Sequence, residues 1–240
     1  METENAEKTH KLKEKERKKQ ERADRAFVRW FAFLRFAEKI LRVFVPYKRH
    51  NAVEKYEDRP YIMLCNHFSM LDVMYPCAAI NKPVHFMAKK ELWDNGGFLK
   101  WFCIKCRCIP VSRDGSASDV KAIMQAMKYL KNGENILIFP EGTRNKENVD
   151  MLPFKGGFAA IALKTRTPII PIVQSGKAGL FKKNHVFFGA PVEFPEYYGK
   201  KITEEEIADC EKRLRDMMVK TRTDFLAAEA EKKKKKEKKD

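Results

Sequence analysis

The chain has 240 residues, 44% of them hydrophobic, which is enough for one sizeable domain with a buried core and excludes a wholly disordered chain. Charged residues make up 34%, with a formal net charge of +16. That balance points to an anionic partner: nucleic acid, an anionic membrane surface or a phosphorylated small molecule. Much of the charge lies near the two ends, which also fits plain solvated tails.

Residues 1–25 form a mixed-charge segment, almost wholly polar, so no cleavable signal peptide is expected there. Residues 26–47, "AFVRWFAFLRFAEKILRVFVPY", read as a basic amphipathic helix. At about 100° per residue, Phe27, Trp30, Leu34, Leu41, Phe44 and Val45 share one face, although Phe36 and Val43 break the pattern. Aromatic density and a basic polar face suit a helix lying in a membrane interface; a core-facing helix is the alternative. Arg29, Arg35, Glu38, Lys39 and Arg42 exclude a spanning segment, which needs about 18 uninterrupted apolar residues.

Beyond Pro46 the pattern alternates. "YIMLC" (61–65) reads as a buried strand, 70–80 as a helix that Pro76 must kink or shorten, and 84–89 as a strand. A short apolar helix is expected at 96–104 and a strand at 108–111. A capped helix follows at 116–133, stopped by Gly133, then a strand at 135–140. A helix at 155–166, a strand at 168–173, one or two strands within 185–194 and a long amphipathic helix at 203–228 complete the domain, taken as 50–228. Residues 229–240 are a lysine-rich tail. Continuous apolar strands alternating with helices predict an α/β domain with a largely parallel sheet covered on both faces. Ligand sites in such sheets lie at the strand C-terminal ends.

The six cysteines are expected to be reduced thiols. Cys103, Cys106 and Cys108 form a CxxCxC cluster, but no fourth ligand at a zinc spacing follows, so no metal is expected.

Four strand ends carry polar residues. After the first comes "NHFSMLD" (66–72). A turn at Phe68 and a helix capped by Ser69 would put Asp72 within reach of His67, where a carboxylate on one ring nitrogen leaves the other free as a base. The same residues also read as a satisfied strand-end histidine and an aspartate favoured by the helix dipole. Ser69 lies in no GxSxG elbow and is a cap, not a nucleophile. "FPEGTRN" (139–145) presents Glu141, Gly142, Thr143 and Arg144, "CIPVSRDG" (108–115) presents Arg113, and Lys89 ends the strand before it. A histidine base among cations suits an anionic substrate that carries a nucleophile to be deprotonated, and arginine favours phosphate.

These blocks resemble those of the glycerophospholipid acyltransferases. "NHFSMLD" is similar to their NHxxxxD signature, "FPEGTR" to the block of that name, "CIPVSRD" to their arginine block and "TPIIPIV" to their proline-rich block, in the same order over residues 50–195. "LPFKGG" and the compact length most resemble the bacterial 1-acyl-glycerol-3-phosphate acyltransferases. Cys108 stands where a glycine is common. The resemblance implies a glycerolipid-acyltransferase-like αβα domain in which His67 is the general base and Asp72 orients it. It implies that Arg113, Glu141, Gly142, Thr143 and Arg144 hold the glycerol phosphate, with Lys89 added by position. The donor would be acyl-CoA or acyl-carrier protein, the acceptor lysophosphatidic acid, and no cofactor or nucleic acid is implied. "GGFLKWFCIKC" could line an acyl-chain tunnel, though by itself it reads as a core helix. The expected place is the cytoplasmic face of a membrane, as a peripheral or monotopic protein. Alternatives are an acyltransferase for another lysophospholipid or glycerol 3-phosphate, and a non-catalytic membrane-surface or nucleic-acid-binding protein.

Overall fold

The computed structural model describes residues 2–94, 96–112, 117–147, 150–155 and 157–237. Helix α1 (Glu2–Phe44) leads into β1 (Tyr47–Asn51) and β2 (Ile62–Cys65). A 3₁₀ turn (Met70–Val73) enters α2 (Met74–Ala79), followed by β3 (Val84–Lys89), α3 (Glu91–Asp94), α4 (Gly97–Lys105) and β4 (Ile109–Val111). Then come α5 (Ala117–Lys131), β5 (Asn135–Ile138), α6 (Phe158–Thr165), β6 (Ile169–Gln174), β7 (Asn184–Phe188) and α7 (Glu204–Glu237). The strands form one sheet in the order β1-β7-β6-β2-β5-β3-β4. Among the described residues every pairing is parallel except β6 with β7. This is the expected mixed, largely parallel α/β sheet.

The central strands are buried because helices cover both faces. Ile62, Leu64 and Ile136 pack under α5, α6 and α7, while Met63, Cys65 and Leu137 pack under α1, α2 and α4. That explains why these strands read as unbroken apolar runs and not as alternating ones. Pro76 is accommodated because α2 begins only two residues earlier, after the 3₁₀ turn, where no helical N–H is lost.

The charged residues before 26 belong to the same continuous helix as those after it, and α7 runs on past residue 228. More consequential is the orientation of α1. The face expected to meet a membrane instead packs on the domain: Phe27, Phe31 and Val45 are buried, Trp30 and Leu34 are packed against the core, and the Trp30 indole donates to Cys106 Sγ at 3.4 Å. Glu38 is buried on the same face and accepts from the Tyr47 hydroxyl at 2.6 Å. Of the expected face only Phe44 is exposed, and it joins Phe33, Phe36, Ile40 and Val43 in a second, exposed apolar stripe. Phe36 and Val43, which broke the pattern, belong to this second apolar stripe.

Candidate active site

The site is built where β2 ends. Asn66 is fully buried and locks onto Gln174 at the end of β6. Its Nδ2 donates to the Gln174 carbonyl (3.1 Å), its Oδ1 accepts from the Gln174 amide (2.8 Å), and its own carbonyl accepts from Gln174 Nε2 (2.9 Å). With the strand end fixed, the chain turns at His67 and Phe68. Ser69 is extended (φ −145°, ψ 167°) and caps the following turn, its hydroxyl accepting from Leu71 N–H at 3.2 Å. That hydroxyl also donates to Asp72 Oδ1 at 2.9 Å, so it is committed on both sides.

Asp72 is buried and organises the turn. Its Oδ2 accepts from the amides of Phe68 (2.6 Å) and Ser69 (2.7 Å) and lies 2.8 Å from His67 Nδ1. A carboxylate there assigns the hydrogen to Nδ1 and leaves Nε2 as the basic nitrogen. The imidazole is stacked on Phe139, with centroids 4.0 Å apart and planes 19° from parallel. The ring is therefore held by a hydrogen bond at one edge and an aromatic face beside it. Only 15% of its side-chain surface remains exposed.

His67 lines a cavity of about 550 Å³. Two kinds of wall meet there. Phe86, Leu99, Phe102, Ile123 and Ile161 give an apolar wall, and the exposed Lys89, Arg144, Lys146 and Lys155 give a cationic rim, with Thr143 also in the lining. Gly142, also in the wall, has φ +65°, and a Cβ there would come within 2.9 Å of Lys155 Cδ. Glycine thus permits both the turn and the passage of the Lys155 side chain. The structure brings His67, Gly142, Thr143, Arg144 and Lys89 together around this space, with Asp72 buried behind His67. Arg113 lies outside the described residues. The residue before it, Ser112, is anchored close by, since its N–H donates to Asp119 Oδ1 at 2.9 Å and Asp119 lines the cavity.

Glu141 sits elsewhere than a ligand-binding carboxylate would. It is 2% exposed and lies beneath the cavity, where Oε1 accepts from the His67 amide at 2.8 Å and Oε2 from the Leu152 amide at 3.0 Å. Burial raises its pKa above the ordinary carboxylate value, and these two bonds pull the other way. The site also draws on residues that the sequence motifs did not mark. Arg222 of α7 is buried, its guanidinium 5.4 Å from the Phe68 ring centroid, with Nε donating to the Ser175 carbonyl at 3.2 Å and Nη1 reaching Asp150 at 3.4 Å. Burial lowers its pKa. Lys155 stands in the quoted "LPFKGG" and could have been marked from it. Gln174 directly follows the quoted "TPIIPIV" but lies outside it, and nothing near Arg222 announced that residue.

Among the described residues no group of histidine, cysteine and carboxylate side chains is arranged to hold a metal. All six cysteines are free thiols.

Comparison with known proteins agrees with this geometry. The acyltransferase family model matches residues 46–175. The 1-acyl-sn-glycerol-3-phosphate acyltransferase of Bacillus subtilis is 33% identical over 58% of this chain and 70% of its own length. The mouse enzyme named 1-acyl-sn-glycerol-3-phosphate acyltransferase alpha is 34% identical over 55% of this chain, but over only 46% of its own. The crystal structure of the 1-acyl-sn-glycerophosphate acyltransferase of Thermotoga maritima has the same fold, with a TM-score of 0.63, 22% identity, and coverage of 82% of this chain and 80% of that one. The strand-end histidine and its carboxylate, the cation-rimmed cavity and the family match all lead to one assignment: this chain is a member of the acyltransferase family.

Proposed function

We propose that the enzyme transfers an acyl group from a thioester, acyl-CoA or acyl-carrier protein, to the free hydroxyl of 1-acyl-glycerol-3-phosphate, giving phosphatidic acid. The observation that carries this is the His67–Asp72 pair at the edge of a cavity that is apolar inside and cationic at its rim. His67 Nε2 takes the proton of the acceptor hydroxyl as its oxygen attacks the thioester carbonyl. Asp72 holds the ring and stabilises the imidazolium that forms. Collapse of the tetrahedral intermediate expels the thiolate, which takes the proton from His67. No covalent acyl-enzyme is required, in keeping with a Ser69 hydroxyl already committed to Asp72 and Leu71.

The phosphate is held by Arg144, Lys89, Lys146 and Lys155, together with Arg113, and the acyl chain lies against Leu99 and Phe102 of α4. Glu141 acts by fixing the His67 amide and the 152 loop, not by touching the substrate. The reaction so written needs no metal or other cofactor. Acceptor and product reside in a bilayer, so the enzyme works at the membrane surface, on the cytoplasmic face where thioester donors are made. No helix among the described residues is long and apolar enough to cross a membrane.

The test is an acceptor panel of lysophosphatidate, glycerol 3-phosphate and neutral lysolipids, offered with labelled acyl-CoA and acyl-carrier donors and read by chromatography. Transfer to lysophosphatidate above the others is expected. Preference for glycerol 3-phosphate or a neutral lysolipid would reassign the acceptor, and no transfer from either donor would reject the reading.

A further inference from the structure

The loop between β6 and β7 contains a feature that the reaction does not use. In "GKAGLFKK" (176–183), Leu180 and Phe181 are 73% and 75% exposed. Lys177, Lys182 and Lys183 surround them, all exposed. Two adjacent large apolar side chains at a loop tip, ringed by lysines, are costly in water and need a reason.

The loop is held in place. Phe181 has φ +54°, a left-handed conformation that a bulky residue adopts only when its surroundings impose it. Two backbone bonds do so: Phe181 N–H donates to the Phe44 carbonyl at the end of α1 (2.7 Å), and Lys182 N–H donates to the Gly179 carbonyl (3.2 Å). The Phe44 and Phe181 rings meet edge to face at 6.3 Å. These bonds thus hold Phe181, against its backbone preference, with its side chain exposed beside α1.

From Phe44 the exposed stripe of α1 continues through Val43, Ile40, Phe36 and Phe33, about 16 Å of helix at 1.5 Å per residue. At Phe33 it passes to Trp30, stacked at 5.4 Å, and then to Trp101 on α4, edge-on at 5.4 Å. Phe102 of α4 also meets Trp30 edge-on at 6.5 Å and, with Leu99, lines the cavity. A continuous apolar ridge therefore joins the Leu180–Phe181 tip at one end to the cavity wall at the other.

We infer that the Leu180–Phe181 tip is a membrane anchor, inserted into the interface of an anionic phospholipid bilayer, with Lys177, Lys182 and Lys183 at the headgroups. This rests on the membrane-surface reading above and adds to it a specific surface. The occupant is a bilayer because the patch is a ridge, not a groove, and because cations flank an apolar tip, the charge arrangement of an interfacial anchor. Seated along this ridge, the protein presents α4, and the cavity behind it, to the lipid from which the acceptor comes.

The experiment uses the full chain with phosphatidylcholine vesicles, with and without phosphatidylglycerol. Phe181→Asn tolerates the left-handed backbone, so it should leave the thermal midpoint unchanged or raised while lowering the vesicle partition coefficient about tenfold. Phe181→Trp should show added emission quenched by brominated lipid, relative to the wild-type chain. Replacing Lys177, Lys182 and Lys183 with alanine should reduce binding to anionic vesicles and leave binding to neutral ones unchanged. A lowered thermal midpoint in Phe181→Asn with unchanged partition would make the residue structural and overturn the proposal. Sedimentation of the wild-type chain, with the added emission of Phe181→Trp left unquenched, would overturn this anchor alone and leave the membrane reading intact. Failure of the wild-type chain to sediment with any vesicle would overturn both.

Discussion

The carboxylate of Glu141, at the end of β5, reaches across to the backbone amide of His67, at the end of β2, and holds it at 2.8 Å. Its second oxygen takes the amide of Leu152. One buried side chain thus ties the histidine loop to the loop that carries Arg144, Lys146 and Lys155. Glu141→Gln keeps the shape but cannot accept both bonds, because its NH₂ would face an N–H. We expect a loss of about 1–3 kcal/mol in stability and a fall in kcat larger than any rise in KM. Chemical denaturation beside steady-state kinetics checks it.

The raised pKa of Glu141 gives a pH test. A group whose folded pKa exceeds its unfolded value contributes stability that is present below the unfolded pKa and lost as pH rises through the folded one. The stability of the wild type relative to Glu141→Gln should therefore fall as pH rises from the ordinary carboxylate range through the higher folded value. Denaturant midpoints of the two proteins, compared across that window, should converge or cross.

Removal of the base should be kinetic, and removal of its partner both kinetic and structural. His67→Ala should lose about 10²–10⁴ in rate and remain folded. Asp72→Asn should lose rate and also stability, since Asp72 accepts from the amides of Phe68 and Ser69 as well as holding the ring. Ser69→Ala should cost about 0.5–2 kcal/mol as a lost cap with a much smaller effect on turnover. A Ser69→Ala rate as low as that of His67→Ala would mean that the hydroxyl takes part in the chemistry.

The cationic rim should affect the acceptor and not the thioester. Arg144→Ala and Arg113→Ala are expected to raise KM for lysophosphatidate far more than KM for the donor, with lysine restoring only part because it lacks the bidentate fork. Gly142→Ala should act through Lys155, whose Cδ lies 2.9 Å from the new methyl, and through the positive φ, at a cost of about 1–2 kcal/mol. Acceptor titrations at saturating donor separate these effects.

At the far edge of the sheet, His50 Nε2 and His185 Nδ1 are 3.0 Å apart. Burial lowers the pKa of both, and for His50 the neighbouring His185 adds to it; Lys48 faces both rings, Lys183, Lys232 and Glu229 face His185, and Glu229 opposes the trend. A depressed histidine pKa gives stability that is present above the unfolded value and lost as pH falls through the folded one. Thermal midpoints should drop as pH falls below about 6.5, and His185→Phe should flatten that slope.

Local signals were the legible ones. The apolar runs at 61–65 and 135–140 marked the central strands, and His67 and Asp72 are close enough in sequence for a capped turn to join them. The roles of Glu141 and Gln174 were hidden because their partners lie 74 and 108 residues away, and a carboxylate in a motif looks the same whether it meets a ligand or a backbone amide. The face of α1 was misread for a related reason. A helix with apolar residues on two opposite sides does not reveal which side is covered until Cys106 and Phe102 arrive from α4 and the turn after it.

The edge pairing of β1 bears on how the chain is made. Tyr47 of β1 is in register with Asn184 of β7, and Asn51 with Phe188, so the strand directly after α1 has no neighbour until β7 exists. On a ribosome, α1 emerges before the whole sheet, yet its strand is among the last to be fastened. Until α2 and α4 have been made the helix carries both apolar faces uncovered, and one of them remains uncovered in the finished protein. A nascent chain in that condition is exposed to aggregation, and capture of its helix by a nearby bilayer during translation would shelter it. Proteolysis of truncated chains ending before and after residue 184, with and without vesicles in the translation mixture, would show at which length the helix becomes protected.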